Sequence, residues 1–376
     1  MSHYDFIITG GGVSGLSLVY HMLHSSLGAC SILVVEQRPL DQDDHALSFW
    51  SVGPTLFDPV IFRSWGQIQF NSDGFSTLID LGSYRYHTIR NTDYAAFIHD
   101  ELSTCPTVDC VTGTVEGIKD GSDCARVRVN SEEHTCQWVF DSRRVSLPSG
   151  RHIALNQQFK GWQIETPLAE FNPQTVTLFD LRVTQENGLC FFYLLPYSER
   201  QALVECVQLH PGDPDGLLKG YIEDTLGIHA YRLLSTEGGV TPLTDFQYPR
   251  RVGHRVVTIG VQGGRVKPST GYAFMRIQRD SEAIVRSLIA ANHPFDIPQD
   301  PPFYRFGDET LLNMMQTYGQ QVKPFYTALF KNNPIERVFH FLDEAATTRE
   351  NLALMRSIPL HLLWRSLIKA ASQTIK

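Results

Sequence analysis

Long hydrophobic runs are missing from this chain. No apolar stretch approaches the roughly 20 residues of a membrane-spanning helix, so no such helix is expected. Paired cysteines are missing too. Cys30, Cys105, Cys110, Cys124, Cys136, Cys190 and Cys206 are scattered singly, with no C-x-x-C. That pattern suits neither a disulfide framework nor a zinc ribbon, and it points to reduced thiols of a cytosolic protein with no metal site. An excess of positive charge is missing as well: 32 Lys and Arg stand against 40 Asp and Glu, net −8. A global basic field for nucleic acid is therefore excluded, and no nucleic-acid partner is expected. Internal repeats and low-complexity tracts are absent. The N-terminus runs almost directly into a strand pattern, so no secretory signal peptide is expected.

What is present is a chain of 376 residues, 42% hydrophobic and 19% charged, enough for about two domains or one large interleaved one. Its opening, "YDFIITGGGVSGLSLVYHML", is a short apolar run, then glycines, then a helical pattern. Gly10, Gly12 and Gly15 fit G-x-G-x-x-G. Gly10 allows the tight turn, Gly12 lets a pyrophosphate approach the backbone, and Gly15 lets the helix pack close to the strand. "CSILVVEQR" follows as a second strand and ends in Glu36, placed to take ribose hydroxyls. The motif does not separate FAD from NAD. "HALSFW" is not a clean third strand of this unit and reads more like a loop.

Further on, "CARVRV" and "TCQWVFDS" alternate as antiparallel strands of a small meander, with "WVFDS" returning to the first sheet. "GWQIET", "TVTLFDLRV", "LCFFYLLPYS" and "ALVECVQL" read as strands of a sheet walling an apolar pocket. "DGLLKGYIEDTLG" reads as a helix, "EGGVTPLT" as turn-rich, and "RVVTIGV" as a short buried strand. A second glycine loop, "TIGVQGGRVKPSTGYAF", then joins that strand to a helix of some 20 residues. Gly263 and Gly264 allow close backbone approach. Pro268 to Gly271 are read as the start of the helix, whose free N–H groups could stabilise negative charge on a reduced flavin.

The ordered set "IITGGGVSGLSL", "ALSFW", "FKGWQIETP", "LFDLRV", "FFYLLPYSERQALVE", "GGVTPLT" and "TIGVQGGRVKPSTGYAFMRIQRDS" resembles the flavin-dependent lycopene cyclases, nearly end to end. The resemblance implies an α/β fold: an FAD-binding Rossmann-like domain of the hydroxylase type, with an inserted antiparallel-sheet substrate domain and a helical C-terminus. The expected divisions are 1–58, 85–158 and 250–295 for FAD, 59–84 and 159–249 for substrate, and 296–376 for the helical region. It also implies reduced FAD as the active cofactor, NADPH as a candidate reductant, and lycopene as substrate. The reaction it implies is an isomerising cyclisation: a terminal double bond is protonated, the cation is attacked by the neighbouring double bond, and a ring proton is lost. Such a site needs an acid, a base, electron-rich walls and exclusion of water.

The family's acidic motif, written FLEET, falls on "ALVECVQL", so the resemblance assigns the acid to Glu205. Cys206 stands where the motif has its second acid, which removes that carboxylate. A lone Glu in so apolar a strand is costly to bury charged, so its pKa should be raised. Asp180 and Arg182 in "LFDLRV" match another family motif, share one strand face, and are read as an ion pair shaping the pocket or as participants in chemistry. Glu165 is a further polar candidate, read as structural. "FLDEAATTRE" is read as a helix-capping stretch, not as the acid. By resemblance, Gly10, Gly12, Gly15 and Glu36 hold the ADP half, and Gly263, Gly264 and Gly271 lie near the flavin ring.

Aromatic hydroxylases share the architecture but usually carry Gly-Asp at the second loop and Asp-Gly on the returning strand. Here those positions read Gly260-Val261 and Asp141-Ser142. The departures argue against the oxygen-dependent cycle. The alternatives left open are a flavin-dependent prenyl or terpenoid reductase or monooxygenase, or a cyclase of another polyene or terpenoid; a non-catalytic carotenoid carrier is opposed by Glu205 and both glycine loops. A carotene must be taken from a bilayer, which implies a peripheral membrane contact. "LHLLWRSLIKAA" puts Leu360, Leu363, Trp364, Leu367, Ile368 and Ala371 on one helical face, as an interfacial helix would.

Overall fold

The computed structural model describes residues 2–37, 45–143, 147, 150–185, 188–317, 319–359 and 361. In chain order the first half holds β1 (His3–Thr9), α1 (Val13–Leu23), β2 (Ile32–Glu36), β3 (Ala46–Val52), β4 (Arg63–Trp65), β5 (Gln67–Ser72), β6 (Phe75–Asp80), β7 (Tyr84–Arg90), α2 (Asn91–Thr104), β8 (Val108–Thr112), β9 (Val115–Lys119), β10 (Ala125–Val129) and β11 (Glu132–Asp141). The second half holds β12 (Ala154–Glu165), β13 (Thr175–Asp180), β14 (Cys190–Pro196), β15 (Gln201–Gln208), α3 (Pro214–Gly220), β16 (Arg232–Thr244), β17 (Val256–Thr258), α4 (Phe274–Ala291), α5 (Pro302–Thr317), α6 (Gly319–Asn332), α7 (Ile335–Leu342) and α8 (Thr348–Ser357).

The first sheet is built on the apolar run of β1, which pairs in parallel with β2 on one side and β11 on the other. β8 adds in parallel to β2. The last residues of β11 pair in parallel with β17, while its first half turns into the antiparallel meander with β10 and β9. Successive strand residues point to opposite faces, and β1 uses both. Phe6 and Ile8 meet α1, α2 and α4 through Leu16, Val19, Tyr94, Ile98 and Ile284. Ile7 meets Leu33, Val35, Val127 and Val139 on the other face. Burial of each such side chain stabilises by roughly 1.5–3 kcal/mol.

The second sheet runs β16-β12-β15-β14-β13-β5-β6, antiparallel except where β13 meets β5. One face packs on α5 to α8, with Phe70, Phe191, Leu203 and Val207 against Met314, Tyr326, Phe330 and Phe339. The other face packs on α3 and the turn after it, with Phe192, Val204 and Cys206 against Leu218, Tyr221 and Ile222. A small third sheet, β3-β7-β4, lies between the larger two in the chain's layout and shares residues with both cores: Trp50 and Tyr86 with one, Phe49 and Ile89 with the other.

Three expectations are corrected. "HALSFW" is not a loop: Ala46 onward forms β3, because its apolar residues pair along β7 and bury Phe49 and Trp50. "EGGVTPLT" is not turn-rich: it completes the long edge strand β16, whose glycines pass close over Phe159 and Lys160 of β12. The helix after the second glycine loop starts at Phe274, not at Pro268, since backbone bonds from Lys267 to Tyr272 and from Gly271 to Lys267 close a turn there first. The capping reading of "FLDEAATTRE" is met, with Thr347 and Glu350 forming a reciprocal capping box at α8. The amphipathic stretch from Leu360 to Ala371 lies outside the described residues, His361 apart. Among the described residues no helix is long and apolar enough to cross a membrane.

Candidate active site

The first glycine loop follows β1 and leads into α1. Gly10 has φ +108°, a left-handed-side conformation that favours glycine. A Cβ on Gly15 would lie 1.9 Å from the Gly10 carbonyl oxygen, so only glycine lets α1 sit this close to the loop. A Cβ on Gly12, by contrast, would meet nothing within 4 Å. Close packing explains Gly15, whereas open space in front of Gly12 leaves room for a ligand. α1 has no side-chain cap and no acid in its first turn, so the positive end of its dipole is not neutralised locally. Glu36 ends β2 beside this loop, its carboxylate accepting from the Gly11 N–H at 2.5 Å and the Gln37 N–H at 2.7 Å. The structure thus brings Gly10, Gly12, Gly15 and Glu36 together. An open helix N-terminus with an adjacent carboxylate fits a dinucleotide's pyrophosphate and ribose.

The second loop is held by buried charge. Arg250 donates to the Gly263 carbonyl at 3.0 Å and grips both oxygens of Asp280 at 2.8 and 2.9 Å. A Cβ on Gly263 would strike that guanidinium and the Thr258 carbonyl oxygen, so this glycine answers to protein packing. Lys267 is 2% exposed and pairs with Asp308 at 3.1 Å and Glu344 at 2.9 Å. Burial alone would lower its pKa, but the two carboxylates outweigh burial and raise it. Arg276 pairs with Glu344 and Asp300. Gly264 and Gly271 hold φ of +69° and +80°. Gly263 and Gly264 line a cavity of about 90 Å³, and Gly271 lines a separate one of about 160 Å³.

That larger cavity holds Glu205. It lies where β12, β14 and β15 of the second sheet face β3, β7 and the second glycine loop. β15 alternates strictly: Leu203, Glu205 and Val207 line the cavity, while Ala202, Val204 and Cys206 enter the core on the α3 side. Tyr86, Phe159, Tyr193 and Tyr272 supply aromatic walls, and the hydroxyls of Tyr193 and Tyr272 lie 3.2 Å apart. Burial pushes the Glu205 carboxyl well above the usual range, and the adjacent Glu237 adds to this by its charge and a hydrogen bond. Burial likewise pushes Tyr272 up to about 12 and holds Tyr86 and Tyr193 well above their ordinary value. Burial thus favours the protonated carboxyl of Glu205 and the neutral phenols around it. That arrangement can give a proton to a weakly basic group and take one back.

Asp180 and Arg182 do not reach this cavity. They form a bidentate pair, Arg182 Nε and Nη2 donating at 2.9 and 2.6 Å to the fully buried Asp180. Asp180 also accepts from Tyr221 at 2.9 Å and Asn71 at 3.2 Å. Asp180 pairs with Phe192, which stacks on Tyr221, whereas Glu205 pairs with Tyr193. Neighbouring residues of β14 face opposite sides, so the ion pair belongs to the face away from Glu205. It ties β13 to β5 and to the turn after α3. Glu165 accepts from Arg232 and Gln201 at the end of β12 and is likewise remote. Sequence reading missed Tyr86, Tyr193, Tyr272 and Glu237. The lone Gly161 inside a strand was the available signal, since such a glycine marks a close approach.

A parallel sheet with a glycine loop at its first strand–helix junction, a meander off the return strand and an inserted antiparallel sheet define the FAD-type flavoprotein fold. The chain superposes on a geranylgeranyl bacteriochlorophyll reductase-like protein from Thermoplasma acidophilum with a TM-score of 0.64 at 13% identity, covering 99% of both chains. It superposes on a flavoprotein/dehydrogenase from Cytophaga hutchinsonii with a TM-score of 0.63 at 10% identity, covering 99% of this chain and 100% of that one. Within that class the sequence is more particular. The lycopene cyclase protein family model matches residues 5–368, and the chain belongs to that family. Similar relatives include the lycopene beta-cyclase of Pseudescherichia vulneris, 25% identical over 75% of this chain and 74% of the relative. The lycopene beta-cyclase of Pantoea ananas is 22% identical over 72% of this chain and 71% of the relative.

Proposed function

We propose that this chain binds FAD and closes rings at the ends of a linear carotene, converting lycopene to β-carotene by way of γ-carotene without net redox change. The observation that supports this best is Glu205, an acid whose protonated form is favoured by burial in an aromatic-walled cavity bordered by Gly271 of the second glycine loop. Gly10, Gly12, Gly15 and Glu36 would hold the ADP half of the cofactor, with Gly263, Gly264 and Gly271 toward its ring. Reduced FAD, when bound, supplies negative charge that favours a cation nearby.

The chain's own residues do the rest. Glu205 gives its proton to the terminal double bond of a polyene end. A C–H bond forms, and a tertiary cation is left on the adjacent carbon. The neighbouring double bond attacks that carbon and closes a six-membered ring. A ring C–H then breaks, its proton returns to the carboxylate, and the mass is unchanged. The faces of Tyr86, Phe159, Tyr193 and Tyr272 lower the energy of the cation by cation–π attraction, about 0.5–2 kcal/mol for each well-placed ring. Water must be kept from the site during this step, since it would capture the cation as an alcohol.

NADPH is the proposed reductant. The proposed setting is the cytoplasmic face of a membrane, where an insoluble polyene is found, with the basic segment after residue 359 as the contact. Truncation before Leu360 should lower liposome binding and leave flavin binding intact. For the reaction, the flavin is reduced without oxygen, lycopene is added in liposomes, and the extract is separated with mass detection. A product of unchanged mass and shifted absorption is expected. A product two mass units heavier identifies a reductase, and one sixteen units heavier in a parallel run with oxygen admitted identifies an oxygenase; either overturns the cyclase reading.

A further inference from the structure

β12 runs between β15 and β16, and one of its residues, Gly161, pairs with Glu205 on one side and with Glu237 on the other. The three positions form one row across the sheet and point to the same face. Strands are spaced about 4.8 Å apart, so the two glutamate backbones stand roughly 10 Å apart with Gly161 midway. Only a missing side chain in the middle lets two glutamates reach one another over that span. A Cβ on Gly161 would lie 2.7 Å from Cγ of Glu237 and 2.9 Å from Cδ1 of Leu203. The Glu237 side chain thus lies over Gly161 toward Glu205, and its charge helps raise the Glu205 carboxyl. The Glu237 carboxyl is fixed from β3, where the Ala46 N–H donates to Oε2 at 3.1 Å. Glu205 lines the cavity and Glu237 does not.

We propose that Glu205 and Glu237 share a single proton across Gly161, with Glu205 as the group that meets the substrate and Glu237 as the positioning residue that holds the proton on it. This rests on the cyclase reading for its chemistry. In the resting site the pair holds one proton and one negative charge. Protonation of the polyene leaves two carboxylates beside one cation. Loss of the ring proton to Glu205 restores the singly protonated pair, so no external acid or base is consumed. Two carboxylates this close do not both ionise readily, which keeps the proton on the pair at neutral pH. Among the described residues, the titratable groups around it include Tyr86 from β7, Tyr193 from β14, Tyr272 from the second loop, and His45 just ahead of β3, whose ring faces Phe159.

The test is a pH titration of the carboxylic acid C=O stretching band by difference infrared spectroscopy, on the purified full chain without substrate. The wild-type band should persist above neutral pH and vanish in Glu205→Gln. In Glu237→Gln the neighbouring charge is gone, and the band of Glu205 should titrate about one pH unit lower or more. Gly161→Ala displaces Glu237 while leaving both acids in the chain, and it should move the midpoint the same way. The alkaline limb of the cyclisation rate should follow the band in each variant. A midpoint unmoved in both Glu237→Gln and Gly161→Ala, or a band that survives Glu205→Gln, overturns the shared proton. The band needs no substrate, so failure to cyclise lycopene with the predicted infrared shifts intact would count against the reaction reading alone.

Discussion

The ammonium of Lys267 is the perturbation that most directly tests how the second glycine loop is held. It is 2% exposed, and it pairs with Asp308 at 3.1 Å and Glu344 at 2.9 Å. Lys267→Met keeps the stem and removes the charge. Glu344 then keeps Arg276, but Asp308 keeps only the Ser269 hydroxyl at 2.5 Å from among its hydrogen-bonding and ion-pair partners here. Breaking a buried pair on one side costs about 3–5 kcal/mol, because the remaining charge stays desolvated. A chain of this length unfolds with an entropy of ~0.8 kcal/mol/K, so Tm should fall by about 5 °C at neutral pH. The sign of the pH dependence follows from Asp308. Its pKa is already raised, burial outweighing the lowering by Lys267 and Ser269, and loss of Lys267 raises it further. An acid raised in the folded state contributes stability that is present below its unfolded pKa and lost as pH rises through the folded one. The deficit of the variant should therefore grow as pH rises from the ordinary aspartate range to neutrality and above. Differential scanning fluorimetry across that range reads both quantities, and Lys267→Met with Asp308→Asn should recover more than half of the loss. A Tm drop of less than about 1 °C, or a deficit of equal size at both ends of the range, would refute the reasoning.

Glu205→Gln should abolish cyclisation and leave flavin content unchanged. Its Tm advantage over wild type should widen as pH rises above the ordinary glutamate range, because the raised acid it replaces loses stability there. Gly12→Ala should leave the Tm of the flavin-free protein unchanged while lowering flavin retention, since its Cβ enters open space, whereas Gly15→Ala should lower both. Equal behaviour of the two variants in thermal melts and flavin absorbance would contradict the assignment of that space to a ligand. Asp180→Asn should destabilise by about 1–3 kcal/mol through its lost charge-assisted bonds, yet lower kcat far less than Glu205→Gln. Denaturant unfolding and initial rates on the same samples separate these effects.

The parts legible in the sequence are those with a local cause. Gly10, Gly12, Gly15 and Glu36 are tied by turn geometry and one strand–helix–strand unit, so spacing alone assembles them. Period-two alternation made Glu205 face away from Val204 and Cys206, as it does. The errors have a common origin in strand pairing over long range. "EGGVTPLT" carries local turn chemistry, but thirteen residues of β16 find partners along β12 and override it. "HALSFW" has a mixed pattern because β3 buries residues into two different cores. The face on which Asp180 lies depends on an irregularity in its pairing with β14, between Thr177 and Asp180, that no pattern of residues announces. Tyr86 and Tyr272 come from β7 and from the second loop, 186 positions apart by subtraction, and only the tertiary fold brings both to Glu205.

The departure at Cys206 from the family's two-acid motif has a physical reading on this sheet. Consecutive strand residues face opposite sides, so an acid at 206 would point into the core of Phe192, Val204 and Leu218, not into the cavity of Glu205. Its cross-strand neighbour there is Lys160 of β12, and burying such a pair in that core would still cost stability unless the core were rebuilt around it. Cysteine fits because the site asks for a small apolar group, and its sulfur lies 3.9 Å from that of Cys190. A second carboxylate able to act on the Glu205 proton must share its row across the sheet. That requires a glycine at the intervening strand, which Gly161 supplies, and an acid one strand further, which Glu237 supplies. Cys206→Glu should therefore destabilise the chain without restoring activity to Glu205→Gln, whereas a second acid serving the cavity from position 206 would restore part of it. Thermal melts and the mass-detected cyclisation assay on the double variant decide between the two.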